Sequence, residues 1–462
     1  MNSFCFVLSL LATGISPSLA EVAPKRVLLI GMDGATFEIM DHLVKEGKLP
    51  NIAKFYERGA RLILESEVPM RSPALWTTVA TGQSRSVHGI YDFVTGSGYW
   101  PKHLRTEDRK LVSSEMRRSP ALWNLADEAG LESLVVGWLN TWPAEKLRGA
   151  MLAPYVALGD KKQSSIKGKI YREVEGQSAP PELFKMLRSH IVEPDDISTA
   201  ELARIVSDPE SVSRLFKMYP SLERAIYTLR WSMASAITNV NIMNRLLRSY
   251  KNTRLLMTYF DGTDTLAHRF WLFREPLDKI KARLKGHNLP HQKTAILKQH
   301  FGRVLDNFYG FLDQQIGRLI KATGKNTTVY IVSDHGWKSD PNTTATHAEV
   351  PFDGVHDLEG VCLAMGPSIR PNRLRMSKRA SLYDIAPTVL YTLGLPIPSY
   401  MAGDVLTRLF RPAFKFAYPP KIMARTHTFS RKRNSKEKDE RGGSAHFADE
   451  ELERLRSLGY VQ

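Results

Sequence analysis

The sequence predicts an α/β fold, with a mostly parallel central sheet, helices on both faces and an inserted helical cap. Three observations carry the prediction. Short apolar, β-branched runs recur along the chain, each separated from the next by helical or mixed stretches, which is the pattern of strands buried on both faces. The chain has 462 residues, 43% of them hydrophobic, enough for a sizeable core and incompatible with disorder as a whole. Carboxylates and histidines fall immediately after several of the apolar runs, where open α/β sheets keep their ligand crevice.

At the N-terminus an apolar stretch from Phe4 to Ile15 is followed by Ser18-Leu19-Ala20, small residues at the two positions a signal peptidase reads. Residues 1–20 are therefore expected to be a signal peptide, although no Lys or Arg precedes the apolar stretch. That stretch is too short to span a membrane. No other stretch reaches membrane length, so no transmembrane segment is expected in the mature chain. Removal near Glu21 takes Cys5 with it and leaves Cys362 as a single buried thiol without a disulfide. The expected location is periplasmic or secreted.

Residues 21–420 read as one catalytic domain. Its first strand, Val27 to Ile30, ends in Gly31-Met32-Asp33-Gly34 and passes into a helical segment, and further runs follow at Ser133 to Trp138, Leu255 to Phe260, Thr328 to Val332 and Val361 to Met365. Asp33, Asp261, Asp264, Asp334 and His335 all fall at strand ends. The intervening stretches at about 160–250 and 270–305 are helical and charged, and are expected to form the cap. Residues 421–462 read as a basic linker, richest in Lys, Arg, Ser and Gly from Arg431 to Gly443, followed by a short terminal helix from Ala448 to Arg456.

Asp264 and His268 are four apart, which puts a carboxylate and an imidazole on one face of a helical turn as two potential ligands for one metal. An isolated pair of this kind is more often a helix cap and a surface histidine. Asp334-His335-Gly336 is more telling, because a strand delivers two adjacent ligand types and glycine permits the turn. His356 precedes another strand and alone is a loop histidine. Ser72 before Pro73 reads as an N-cap with proline in first helical position, and a hydroxyl there lies at the positive end of the helix dipole. Arg71-Ser72-Pro73-Ala74-Leu75-Trp76 returns as Arg118-Ser119-Pro120-Ala121-Leu122-Trp123, so capping does not choose between the serines. Only the first copy leads into Thr81-Gly82 and His88-Gly89-Ile90.

In this order, Asp33, Ser72, Thr81-Gly82, His88-Gly89-Ile90, Asp264-x-x-x-His268, Ser333-Asp334-His335-Gly336 and Gly354-x-His356 resemble the alkaline phosphatase superfamily, in particular its type I phosphodiesterase/nucleotide pyrophosphatase branch. The resemblance runs from about Arg26 to Leu409, and the closing Leu455-x-x-Leu458-Gly459-Tyr460 is similar to tails on relatives. It implies an alkaline-phosphatase-like fold and two divalent metal ions, zinc in relatives. Asp33, Ser72, Asp334 and His335 would hold one metal, and Asp264, His268 and His356 the other. It also implies double displacement, in which Ser72 attacks phosphorus, a phosphoryl-serine forms and water releases it.

The sequence departs from the branch at two positions: the nucleophile is serine where threonine is usual, and Leu75 stands where nucleotide pyrophosphatases place an asparagine. Oxyanion binding is then expected from backbone N–H groups, Arg71, Asn140 or Lys338. The first reading is a phosphodiesterase for small-molecule or lipid-headgroup phosphate esters. The alternatives are a phosphomonoesterase, a phospho-alcohol transferase acting on cell-envelope molecules, and a sulfatase. For the last, the x-Pro-x-Arg signal for formylglycine is missing, since Ala74 and Trp76 occupy those positions. A binding protein that merely kept the fold would be expected to have lost one of the seven ligand positions, and all are filled. Lys+Arg total 64 against 48 Asp+Glu, a net charge of +16 that favours anionic partners. No nucleic-acid-binding motif accompanies it. Trp76, Trp100, Trp138, Trp142 and Tyr155 are expected mostly in the core, with stacking on a base or sugar as their other possible use.

Overall fold

The computed structural model describes residues 26–105, 111–154, 171, 175–210, 220–284, 294–339, 354–371 and 379–425. The expected signal peptide, Tyr155, and the expected basic linker and terminal helix beyond residue 425 lie outside the described residues.

The strands are β1 (Arg26–Met32), β2 (Ala60–Glu65), β3 (Ser133–Val136), β4 (Gly149–Leu152), β5 (Ser178–Ala179), β6 (Leu255–Phe260), β7 (Thr327–Val332), β8 (Gly336–Ser339), β9 (Gly354–Asp357), β10 (Glu359–Met365) and β11 (Ala380–Ser381). The helices that matter for the argument are α1 (Phe37–Lys45), α2 (Pro50–Arg58), α3 (Ser72–Thr81), α4 (Leu122–Glu128), α5 (Pro220–Ser249), α6 (Gly262–Phe270), α7 (Val304–Thr323) and α8 (Ile385–Leu393). Nine strands form one sheet in the order β11-β2-β10-β7-β1-β6-β3-β4-β5. Neighbours from β7 through β4 pair in parallel, while β10 runs antiparallel to both β7 and β2, and β5 antiparallel to β4.

Alternation along the central strands divides the core in two. Leu28 and Ile30 of β1 face α1, α2, α5, α6 and α7, and Val27 and Leu29 face α3, α4 and α8. Every residue of β6 and β7 is buried, as strands covered on both faces require. All five apolar runs read from the sequence are strands here. β2 and β4 were not anticipated: β4 is four residues, Gly-Ala-Met-Leu, with no β-branched residue to mark it.

The cap reading is corrected for residues 220–249. They form α5, a 30-residue helix that packs on β3, β6, α6 and α7 and puts Leu229, Trp231, Val240, Ile242 and Leu246 into the same core as Leu28. A helix that buries its apolar stripe on the sheet is one of its covering layers. Phe270, Phe273 and Phe301, from the second expected insertion, join that core as well. Cys362 on β10 is buried and free, and burial pushes its thiol up to about 12, so it is inert at neutral pH. Among the described residues no helix is long and apolar enough to cross a membrane.

Candidate active site

β7, β1 and β6 are adjacent, and each delivers a carboxylate at its C-terminal end: Asp334, Asp33 and Asp264 respectively. His335 follows Asp334, and His268 is presented by α6 one turn beyond Asp264. His356 comes from β9, which pairs with β8 so that His356 lies opposite Trp337. The structure thus brings all six ligand-type residues together in two groups, Asp33 with Asp334 and His335, and Asp264 with His268 and His356. Asp33, Asp264, Asp334 and His335 are wholly buried, and His268 and His356 are partly open.

The groups adjoin. His335 Nε2 lies 3.3 Å from Asp33 Oδ1 and 3.6 Å from Asp264 Oδ1, and His356 Nε2 lies 3.3 Å from Asp264 Oδ1. His356 Nε2 also faces His268 Nε2 at 3.4 Å, and the His335 and His356 rings stack with centroids 3.8 Å apart. Burial and the neighbouring Asp33 charge raise the Asp334 carboxyl well above the usual range. Burial works against a charged His335, but Asp334, Asp33 and Asp264 outweigh it and lift the imidazole to about 10. Burial, opposed by Asp264, takes His268 down to about 3, and His356 is likewise lowered well below its ordinary value, by burial and then by His335.

These residues fit divalent cations. Among the described residues, Asp264 Oδ2, Asp334 Oδ2 and His335 Nε2 are buried with no hydrogen-bond partner, an arrangement that is costly unless a cation satisfies them. His335 Nδ1 pairs with the Gly336 carbonyl at 3.0 Å, so Nδ1 carries a proton and Nε2 is the nitrogen turned to the carboxylates. Mixed imidazole and carboxylate donors suit a divalent first-row metal.

Ser72 Oγ donates to Asp33 Oδ1 at 3.4 Å. The N-cap reading of Ser72 is corrected here. Arg71 is the N-cap of α3, Ser72 is its first helical residue, and no side chain caps the helix. Its hydroxyl is therefore directed to a triad carboxylate. Ser119 is buried, and its copy of the hexapeptide is built into a different carboxylate: Trp123 Nε1 donates to Glu145 Oε1 at 3.0 Å, and Arg117 pairs with the same oxygen at 2.6 Å. The second copy thus anchors a structural ion pair.

Several residues around the ligands had no evident signal in the sequence. Trp76 Nε1 donates to Asp33 Oδ2 at 3.1 Å, and the Tyr259 hydroxyl donates to that same oxygen. Trp337 Nε1 donates to Asp264 Oδ1 at 3.2 Å. Trp76 and Trp138 are fully buried and meet edge to face at 5.3 Å, which places them in the core as expected. The indole of Trp76 also explains Gly31, since a Cβ there would meet the ring at 2.7 Å. Gly34 has φ +62, and a Cβ there would sit 2.5 Å from Trp337 Nε1 and 2.9 Å from Asp264 Cβ, so the turn after β1 tolerates only glycine. His88 is structural: Ile90 N–H donates to its Nδ1 at 3.1 Å, so Nε2 carries the proton that bonds Thr78 Oγ1 at 3.2 Å.

Of the expected oxyanion binders, Arg71 is the one beside the serine. Buried Asp92 holds it by Nε and Nη2, both at 2.8 Å, with Tyr99 stacked on it at 4.5 Å. Its charge is close enough to depress His356. Asn140 donates its amide nitrogen to Pro73 O at 2.8 Å and Thr77 Oγ1 at 3.3 Å, which ties it to the first turn of α3. Lys338 is exposed and pairs with Asp357 at 2.9 Å across the β8–β9 hairpin. Leu75 is fully buried.

A mostly parallel sheet with two adjoining His/carboxylate groups and a serine at its C-terminal edge defines a member of the alkaline phosphatase superfamily. Within it, the chain belongs to the type I phosphodiesterase / nucleotide pyrophosphatase family, whose family model matches residues 27–388. The fold is similar to that of wild-type alkaline phosphatase PafA, with a TM-score of 0.52, at 12% identity over 84% of this chain and 99% of that one. In sequence the chain is 32% identical over 105 residues to 2,3-bisphosphoglycerate-independent phosphoglycerate mutase of Prochlorococcus marinus subsp. pastoris, 21% of this chain and 18% of the mutase. It is 32% identical over 126 residues to mouse arylsulfatase K, 25% of this chain and 22% of that enzyme. The matched segments span less than a quarter of these curated relatives.

Proposed function

We propose that the protein hydrolyses phosphoric esters with Ser72 as nucleophile and two divalent metal ions as cofactors. The observation that carries this is the position of Ser72 Oγ, at the first residue of a buried helix and bonded to a carboxylate of one triad while the other triad adjoins it. Asp33, Asp334, His335 and Ser72 would hold one ion, and Asp264, His268 and His356 the other. Such ions, zinc by the chemistry of the donors, would supply positive charge to favour a serine alkoxide and offset charge on a departing alkoxide.

The chain's own groups account for the rest. Asp33 accepts the Ser72 hydroxyl and fixes its rotamer, while Trp76 and Tyr259 fix Asp33 from behind. Ser72 gives up its hydroxyl proton as Oγ bonds to phosphorus and the bond to the leaving oxygen breaks, the leaving oxygen taking a proton from solvent. A water then displaces the serine with a second inversion, losing one proton to phosphate or solvent while Ser72 Oγ regains one. The α3 N-terminus would offer the positive end of its dipole to the phosphoryl oxygens. Arg71, next to Ser72 in the chain and held by Asp92 and Tyr99, would be the cationic side chain offered to the phosphoryl oxygens.

Phosphodiester hydrolysis is the first reading, supported by family membership. Phosphomonoester hydrolysis is the second, favoured by Arg71 and the serine nucleophile, because a monoester carries one more charge for the guanidinium to meet. Sulfate esters rank below both, since Trp76, buried against Asp33, stands where the formylglycine signal needs arginine. The deciding experiment is hydrolysis of matched aryl phosphate diester, monoester and sulfate by zinc-loaded protein, run with Arg71→Met alongside. Diester preference retained in Arg71→Met supports the first reading, and monoester preference lost with Arg71 supports the second. Silence on both phosphates from a metal-replete protein would overturn the proposal.

A further inference from the structure

At the pole of the sheet opposite the serine, the N-terminal ends of β1, β4, β6 and β7 border a cleft of about 1060 Å³. Among the described residues, five cationic ones line it, Arg26, Arg148, Lys251, Arg254 and Lys325, against one carboxylate, that of Glu132. Glu132 already accepts the Thr253 hydroxyl at 2.7 Å. The Arg26 guanidinium is spent on neutral acceptors, the carbonyls of Thr253 at 2.8 Å and of Thr323 and Lys251 at 3.2 Å. Arg254 is depressed by burial and by repulsion from Arg26, so like charges crowd here. A concave surface with this excess of one charge focuses its field on an anion.

The chain itself leads an anionic segment to this place. Arg425, where the described body ends, pairs with Glu128 at 2.7 and 3.0 Å. Glu128 closes α4, two residues before Gly130, which forms part of the cleft wall. The nearby Asp127 is occupied by the backbone N–H of Arg148 at 2.6 Å. Beyond Arg425 the sequence carries Asp449, Glu450, Glu451 and Glu453, four acids within one short stretch. A spacer of about 24 residues has a root-mean-square span of roughly 27 Å, enough to return to a cleft that starts beside its point of departure.

We propose that the acidic segment 449–453 docks in the basic cleft of its own chain, at the end of the sheet away from the active site. Tethering places it at about millimolar effective concentration, so even weak charge pairing fills the cleft.

The test uses the full chain and a variant carrying Asp449→Asn, Glu450→Gln, Glu451→Gln and Glu453→Gln. Amide exchange at 251–254 and 323–326 is expected to be about fivefold faster or more in the variant, the ratio of millimolar effective concentration to a sub-millimolar affinity. Zero-length carbodiimide treatment of the unaltered chain should join Lys251 or Lys325 to residues 449–453 within one chain, and Lys251→Gln with Lys325→Gln should remove the product. Unchanged exchange together with no such cross-link overturns the proposal. So does a cross-link found only between isotopically distinct chains, or equal protection of the cleft by inorganic tripolyphosphate in both proteins, which would assign the cleft to a partner from outside.

Discussion

The indole N–H of Trp76 donates to Oδ2 of Asp33 at 3.1 Å. Trp76 lies one helical turn beyond Ser72, whose hydroxyl reaches Oδ1 of the same carboxylate, so one face of α3 holds both oxygens. Tyr259 adds a second donor to Oδ2. Removing these supports should loosen a ligand without deleting it. Tyr259→Phe and Trp76→Phe are each expected to lower kcat about 10- to 100-fold at saturating metal, the usual cost of losing an outer partner of a metal ligand. Steady-state kinetics across a zinc titration checks this, with circular dichroism to confirm the fold.

The two hexapeptide copies give a paired test. Ser72→Ala should abolish turnover, by about a thousandfold or more, because no other hydroxyl occupies its place on Asp33 in the proposed scheme. Ser119→Ala should leave activity within about twofold, its copy being engaged with Glu145. Equal losses in two folded variants would assign the nucleophile wrongly.

Metal content offers an independent readout. Chelation should lower the melting temperature, because three adjacent buried carboxylates lose the cations that would offset their charge. Restoring free zinc to about a thousand times its dissociation constant should return roughly 4 kcal/mol. His356→Ala is expected to cost one equivalent of metal by atomic absorption and to leave the Asp33 group loaded. A chelated protein that melts unchanged would argue against metal at either group.

Acid sensitivity follows from His88. Burial, followed by the charges of Arg85, Arg117 and Arg118, pushes its imidazole well below the ordinary histidine value of about 6.5. The unfolded chain therefore binds this proton more readily, and stability rises with pH up to about 6.5 and falls as pH drops below it. Denaturant midpoints at pH 5 and 7.5, compared between the unaltered chain and His88→Gln, should show a shallower pH dependence in the variant. Identical slopes would mean that His88 keeps an ordinary affinity for its proton.

The sequence was legible where a local pattern and a chemical role coincide. β1, β6 and β7 announce themselves as apolar runs that end in Asp33, Asp264 and Asp334, so both the strands and the edge they share were readable. What was not readable depends on the third dimension. Nothing local to Tyr259 says that its hydroxyl reaches across to Asp33 from the neighbouring strand. Trp76 has the spacing of a core residue, and it is one, with its N–H as a second function. Ser72 looked like a cap because Ser-Pro is a common helix start, and only the position of Asp33 shows where the hydroxyl goes. Residues 220–249 looked like an insertion because charged positions punctuate them, yet their apolar stripe is long enough to cover the sheet.

Gly34 N–H reaches Asp334 Oδ1 at 3.3 Å although the two residues are 300 positions apart. The site is thus a closure reached late in the chain's self-assembly. β1 emerges early in synthesis but must wait for β7, and β9 with His356 comes later still. Contacts of such long sequence separation form slowly, because the loop between them must be closed before they contribute. A chain ending before the close of β7 would hold Asp33 and Ser72 without Asp334, His335 and His356. Activity switches on only when the last third of the polypeptide has zipped into register, which makes turnover itself a reporter of completed folding.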